Sequence, residues 1–199
     1  MIAIIDYGAG NIFSVKNALD YLGEECVLTG DRREIEAADK LILPGVGAFP
    51  AAMECLEKSG LVDVIKEQAV QKPLLGICLG MQLLFEKSYE FEECRGLGLI
   101  KGYVDRIDEP GLVIPHMGWN KLEYNRDCPL FSGLDESYVY FVHSYKAFCD
   151  ESALYAYCTY GSRVTAVAGD GRFVFGTQFH PEKSGSAGLK MLKNFAALA

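Results

Sequence analysis

Four short apolar runs organise the first eighty residues: Ala3 to Ile5, Glu25 to Leu28, Asp39 to Leu43 and Leu74 to Ile77. Ala3 to Ile5 and Leu74 to Ile77 have no polar alternation, the pattern of strands buried on both faces of a parallel sheet. Stripes at helical spacing lie between them. Ile12, Val15, Leu19 and Leu22 mark one face, with Asn11 as the predicted N-cap and Gly23 as the stop. Met53 and Leu56 follow Pro50 and end at Ser59-Gly60; Leu61, Val64, Ile65 and Ala69 form the next stripe. After Cys78 the pattern turns helical again, through Met81, Leu84 and Phe85. The resulting order is strand, helix, strand, strand, helix, strand, helix, which predicts an α/β fold.

From Leu97 the texture changes. Leu97 to Ile107, Leu112 to Pro115, Lys121 to Tyr124, Tyr138 to Phe148, Leu154 to Tyr160, Val164 to Ala168 and Arg172 to Phe179 read as strands. Gly169-Asp170-Gly171 signals a hairpin. Leu189, Leu192 and Phe195 place an amphipathic helix near the C-terminus. The predicted fold class is a flavodoxin-like α/β architecture: a mainly parallel sheet flanked by helices, with an antiparallel extension in the C-terminal half. Neither a linker-like stretch nor an internal repeat interrupts residues 1–199, so one domain is expected.

Composition narrows the function classes. Half of the 199 residues are apolar and the formal net charge is −8. The chain has no cluster of Lys and Arg, which argues against nucleic acid and anionic membrane as partners. No apolar run reaches the ~20 residues of a membrane span. The N-terminus enters an apolar strand with no basic segment before it, which predicts no signal peptide. Seven cysteines, without a C-x-x-C pair, argue against a disulfide framework or a zinc site and fit a reducing cytoplasm.

The candidate chemistry sits at the ends of the predicted strands, where sites of such sheets lie. Cys78 stands between Gly76 and Gly80 at a strand-to-helix switch, a nucleophile elbow with Cys in place of Ser. The helix N-terminus favours thiolate there, and the N–H groups of Leu79 and Gly80 can hold an oxyanion. The loop Pro44-Gly45-Val46-Gly47-Ala48-Phe49-Pro50 and the loop Asp6-Tyr7-Gly8-Ala9-Gly10 lie at other strand ends. The Gly8-x-Gly10 pair invites a dinucleotide reading, which Phe13 in the third glycine position argues against. Among three histidines, His180 is followed by Pro181 and Glu182. In an extended stretch Glu182 points the same way as His180 and can orient its imidazole. The predicted triad is Cys78, His180 and Glu182. His143, inside a predicted strand, reads as a hydrogen-bonded sheet histidine, and His116, in a predicted loop, receives no chemistry. The acidic stretch Glu86 to Arg95 reads as a solvated loop that can lend one carboxylate to the crevice.

These residues resemble a known family. Gly76-Ile77-Cys78-Leu79-Gly80-Met81-Gln82 and Gln178-Phe179-His180-Pro181-Glu182 are similar to the motifs of triad-type, class I glutamine amidotransferases. The Asp6, Pro44 and His116 loops, Phe141-Val142-His143-Ser144-Tyr145 and Lys183-Ser184 narrow the resemblance to the glutaminase subunits of imidazole glycerol phosphate synthases, end to end and in the same block order. The resemblance implies that Cys78 is the nucleophile, His180 its base and Glu182 the orienter. It implies that Gly45, Val46, Gly47, Leu79 and Gly80 serve the oxyanion and the substrate, that Gln82 and Glu90 hold the polar end of glutamine, and that Ser144 and Tyr145 complete the pocket. Asn11, Trp119, Tyr140 and Lys183 would face a partner. That partner would be a (β/α)₈-barrel cyclase in a heterodimer. The resemblance implies that it would take the ammonia and make imidazole glycerol phosphate and AICAR from PRFAR in histidine biosynthesis; a chain of 199 residues looks too short for a separate synthase domain, which fits an obligate partner. No cofactor or metal is implied. A partner-independent cysteine amidohydrolase, the amidotransferase subunit of another synthase, and a binding subunit with a relic triad stand as alternatives.

Overall fold

The apolar runs of the first half pair side by side, because each is apolar on both faces and only a covered parallel sheet hides both. The computed structural model describes residues 1–199. Its elements run β1 (Ile2–Ile5), α1 (Ile12–Leu22), β2 (Cys26–Thr29), α2 (Arg32–Ala37), β3 (Lys40–Gly45), α3 (Phe49–Lys58), α4 (Val62–Ala69), β4 (Leu74–Cys78) and α5 (Leu79–Leu83). Then follow β5 (Phe85–Ser88), β6 (Cys94–Arg95), β7 (Ile100–Arg106), β8 (His116–Lys121), β9 (Glu123–Tyr124), β10 (Tyr138–His143) and β11 (Tyr145–Phe148). The chain closes with β12 (Leu154–Tyr160), β13 (Ser162–Gly169), β14 (Val174–Thr177) and α6 (Gly185–Ala196).

Eight strands form the main sheet in the order β2-β1-β3-β4-β14-β13-β12-β9. The pairs from β2 to β14 are parallel, and β13, β12 and β9 extend the sheet antiparallel. Alternate side chains of the parallel strands feed two cores, one on each face. Ala3, Ile5, Leu41 and Leu43 pack with Phe49, Leu56, Val64 and Phe85. Ile2, Ile4, Ile42, Leu75 and Ile77 pack with Leu19, Leu192 and Phe195 of α1 and α6. Two small sheets, β10-β8 and β11-β7-β5-β6, cover the carboxyl end. No helix is long and apolar enough to cross a membrane.

The structure corrects several boundaries. Between β2 and β3 lies α2, which has a single buried apolar residue, Ile35, and so no stripe. It is held by its ends: Asp31 accepts from Arg33 N at 2.7 Å, and the Lys72 ammonium donates to the carbonyls of Ile35, Glu36 and Ala38. Asn11 occupies the N-cap position of α1 without capping a backbone N–H; its Oδ1 accepts from Ser14 Oγ at 2.9 Å. The helix after Cys78 is one turn, and Phe85 opens β5. Leu112 to Pro115 are not a strand, whereas His116, expected in a loop, begins β8. The stretch Tyr138 to Phe148 breaks at Ser144 into two strands of different sheets. The strand expected over Leu97 to Ile107 is β7, and that over Arg172 to Phe179 is β14. The Asp170 carboxylate, accepting from the N–H groups of Arg172, Phe173 and Val174, ties the hairpin between β13 and β14.

Three glycines let β3, β4 and α5 meet. A Cβ on Gly76 would stand 2.7 Å from the Gly80 carbonyl oxygen, and one on Gly45 would stand 2.7 Å from Gly80 N. A Cβ on Gly80 would overlap the Leu43 carbonyl. Gly80→Ala therefore forces backbone apart in the centre of the sheet, whereas Gly60→Ala meets open space and costs only its left-handed conformation, about 1–2 kcal/mol. Thermal unfolding is expected to show a clearly larger loss for Gly80→Ala than for Gly60→Ala. Equal losses would contradict the close approach.

Candidate active site

The sequence Leu74-Leu75-Gly76-Ile77-Cys78 carries β4 through the middle of the sheet, and the chain must then reverse into α5 within one residue. Cys78 makes that reversal at φ 55 and ψ −111, one of two non-glycine residues with positive φ. Strained backbone of this kind costs of order 1–3 kcal/mol and persists where the surroundings over-determine it. Here the surroundings are the glycine contacts just described. The side chain of Cys78 is thereby turned out of the sheet while the residue stays 7% exposed.

Strand β14 lies parallel to β4, with Thr177 opposite Ile77. The residues that follow β14 therefore come up beside Cys78. His180 is 3% exposed, and its Nδ1 lies 2.8 Å from Glu182 Oε1. The carboxylate is an acceptor, so Nδ1 carries the hydrogen and Nε2 is left for other work. Burial pushes the imidazole toward its neutral form. The neighbouring Cys78 sulfur, then the hydrogen-bonded Glu182 carboxylate, outweigh burial and raise the pKa to about 9. The second Glu182 oxygen, Oε2, is buried with no hydrogen-bond partner.

A cavity of about 460 Å³ opens above the sulfur. Cys78, Leu79, Gln82, Glu90, Ser144, Tyr145 and His180 line it, together with Val46 and Gly47 from the loop after β3 and with Asn11 and Lys183. Gly45 and Gly80 stand just behind the wall; Gly45 pairs with Cys78 in the strand register. Glu90, from the acidic stretch, is 6% exposed and its Oε2 accepts from Phe49 N at 2.7 Å. Burial raises its pKa. The stretch is thus not a plain solvated loop: it includes β5 and β6 and sends this one carboxylate inward. Trp119 and Tyr140 do not line the cavity. They face each other across β8 and β10 with ring centroids 6.0 Å apart, and Trp119 is 54% exposed.

The other two histidines form a buried pair, of which His143 reaches the cavity and His116 stands behind it. His143 Nδ1 lies 2.7 Å from the Tyr145 carbonyl, and its Nε2 lies 2.9 Å from His116 Nδ1. Burial lowers the His143 pKa to about 3. It is neutral at ordinary pH and already spent on hydrogen bonds, as its place in a strand predicts. Pro115, Val142 and His143 also line the cavity, and Gln178 lies behind Cys78. None of the four was a predicted site residue. Gln178 was visible only as part of the motif around His180.

Comparisons with known proteins agree with this geometry. The family model for class-I glutamine amidotransferases matches residues 3–198. A Bacillus cereus protein named imidazole glycerol phosphate synthase subunit HisH is 54% identical over 197 residues, covering 98% of this chain and 93% of that protein. A Bacillus mycoides protein of the same name is 53% identical over the same shares. A crystal structure of a glutamine amidotransferase superposes with a TM-score of 0.78 at 20% identity over the whole of both chains, which supports the fold.

The His180 environment makes a pH prediction. Its pKa rises on folding from 6.5 to about 9, so the stability gained from its partners is fully present below pH 6.5 and is lost as pH rises through about 9. Glu182→Gln is expected to lower the His180 midpoint in an NMR titration. It is also expected to flatten the fall of the melting temperature between pH 6.5 and 9. Unchanged midpoints would remove Glu182 from this role.

Proposed function

The chain belongs to the class-I glutamine amidotransferase family, and from that membership we propose that Cys78, His180 and Glu182 are its catalytic triad. It is the glutamine-hydrolysing subunit of imidazole glycerol phosphate synthase, and its partner is the cyclase subunit. The observation that carries the residue assignment is one arrangement: a strained cysteine, a carboxylate-held imidazole and a lined cavity meet at the end of β4.

The chemistry follows from the geometry. At neutral pH His180 is charged, which favours thiolate on Cys78. The thiolate attacks the side-chain amide carbon of glutamine. The oxyanion is held by backbone N–H groups from Leu79 and the Gly45-Val46-Gly47 segment, each such donor being worth about 10²–10³ in rate. The His180 imidazolium passes its proton to the leaving nitrogen, and ammonia departs. The neutral imidazole then takes a proton from water as it attacks the γ-glutamyl thioester, and glutamate leaves. Gln82, Glu90, Ser144 and Tyr145 line the part of the cavity that would take the amino-acid end of the substrate. Asn11 and Lys183 at the rim, with Trp119 and Tyr140 beyond it, form the face proposed for the cyclase, a (β/α)₈ barrel. The cyclase uses the ammonia to make imidazole glycerol phosphate and AICAR from PRFAR, a step of histidine biosynthesis, and the reading places the whole chain, residues 1–199, as one domain in the cytoplasm. The exposed Val46 and Gly47, which at φ +99 adopts a glycine-favouring conformation, give the oxyanion segment freedom to respond to the partner.

The test is glutamate release from glutamine by the chain alone and with the cyclase subunit and its phosphoribosyl substrate, against Cys78→Ala. The expected result is a low rate alone, a rise of at least tenfold with the loaded partner, and no release by Cys78→Ala. Equal rates with and without partner would keep the glutaminase and discard the synthase. Release by Cys78→Ala would discard the triad.

A further inference from the structure

Gln178 is fully buried, does not line the cavity, and is separated from His180 by one residue. Its side chain bridges two groups. Gln82 Nε2 lies 2.9 Å from Gln178 Oε1, and Gln178 Nε2 lies 3.8 Å from Cys78 Sγ, within reach of an N–H···S bond. The direction of this chain is set by its far end. Gln82 Nε2 also lies 3.1 Å from the Tyr145 carbonyl, which only accepts. The Gln82 amide must therefore turn its NH₂ group to both neighbours, using both hydrogens. Gln178 must then present oxygen to Gln82, which leaves its own NH₂ for the sulfur. His143 Nδ1 holds the same Tyr145 carbonyl at 2.7 Å from the other side. Flipping Gln82 would set acceptor against acceptor at Tyr145, and flipping Gln178 would set donor against donor at Gln82.

We propose that Gln178 is a positioning residue for Cys78: its NH₂ group donates to the sulfur, holds it toward the cavity and favours the thiolate. A hydrogen bond given to an ionised group favours that ionised form, and bonds to charged partners are stronger than neutral ones. The imidazole of His180 takes the proton and the Gln178 amide donates to the sulfur that keeps the charge, whereas the Val142 carbonyl, 4.0 Å away, can serve only the protonated thiol. Gln178 acts from beneath and never meets the substrate. The inference rests on the amidotransferase reading, which names Cys78 as the nucleophile.

The experiment is the pH profile of Cys78 alkylation by iodoacetamide, read by mass spectrometry on the Cys78 peptide, in the full chain without glutamine. Gln178→Met keeps the volume and removes the donor. Its profile is expected to move up by about one pH unit, a tenfold slower alkylation at a fixed pH below the midpoint. In the assembled synthase kcat for glutamine is expected to fall at least tenfold with KM within about twofold. A folded Gln178→Met chain whose alkylation profile superimposes on the parent's would overturn the proposal, as would a rise in KM without a fall in kcat. If the variant does not fold, the unmodified chain decides. With side-chain ¹⁵N-labelled glutamine, the Gln178 NH₂ signals should shift at the pH where Cys78 titrates, and not do so in Cys78→Ala. Signals indifferent to that titration would overturn the proposal. Superimposed profiles with Cys78-dependent glutaminase intact would sink Gln178 alone, whereas loss of Cys78-dependent turnover in the parent would sink the parent reading.

Discussion

Backbone contact between the end of β3 and the first turn after β4 is the constraint on which the site depends. The Leu43 carbonyl touches the α-carbon side of Gly80, and Gly45 touches the Gly80 nitrogen, so closely that neither glycine has room for a side chain. The chain leaving β4 has to pass through that gap. A residue with ordinary φ at position 78 would carry it past β3. Cys78 instead adopts φ 55 and throws the chain back under the Pro44 segment. The strain of that conformation is of order 1–3 kcal/mol. It is offset because β3 and β4 lie in the middle of the sheet, with Leu41, Ile42, Leu43, Leu74, Leu75 and Ile77 all buried. The same contact brings the Gly45-Val46-Gly47 backbone beside the sulfur, so one packing decision places both the cysteine and the segment that faces it.

Parallel pairing then supplies the second half of the site from a hundred residues away. Gly76 sits opposite Gly176 and Ile77 opposite Thr177, and so the chain beyond β14 must arrive at the height of Cys78. Gln178 reaches the sulfur from below, and His180 reaches the cavity, where the turn Pro181–Lys183 folds Glu182 back onto it. Serine 184 fixes this turn: Ser184 Oγ donates to the His180 carbonyl at 2.6 Å and accepts from Tyr140 N at 3.0 Å. The imidazole is thereby tied to β10, whose face also carries Tyr140 opposite Trp119. The wall of the cavity and the proposed partner face belong to one two-stranded sheet, β10-β8.

Much of this was legible in the sequence, and the parts that were not have physical reasons. Unbroken apolar runs gave the parallel strands, and the glycines flanking Cys78 gave the turn, because a buried strand and a tight reversal leave few other choices. Helix α2 carried no stripe because one residue, Ile35, is its whole buried face; its order comes from Asp31 and from Lys72, which is distant in sequence. The apolar Leu112 to Pro115 imitate a strand, yet Val113 is 77% exposed and its carbonyl accepts from Tyr160 Oη, a tertiary contact that no local pattern announces. The His180–Glu182 pair was readable because both members lie two residues apart. The Tyr145, Gln82, Gln178 and Cys78 chain was not, because its polarity is set by one backbone carbonyl reached across three elements.

The two histidines at this site show how environment rather than residue type assigns the chemistry. His143 and His180 are both nearly enclosed, and burial alone would leave both neutral. His143 gives its one hydrogen to a carbonyl and accepts at Nε2 from a second imidazole, both neutral partners, and with burial its pKa falls to about 3. His180 meets a carboxylate and a sulfur, and its pKa rises to about 9. A charge on His180 is also one of the causes that keep His143 neutral. Of the two imidazoles, therefore, only the one next to Cys78 holds a positive charge. The neutral pair His116–His143 props the Tyr145 carbonyl that orients Gln82, so it contributes order to the site without competing for the proton on which the chemistry turns.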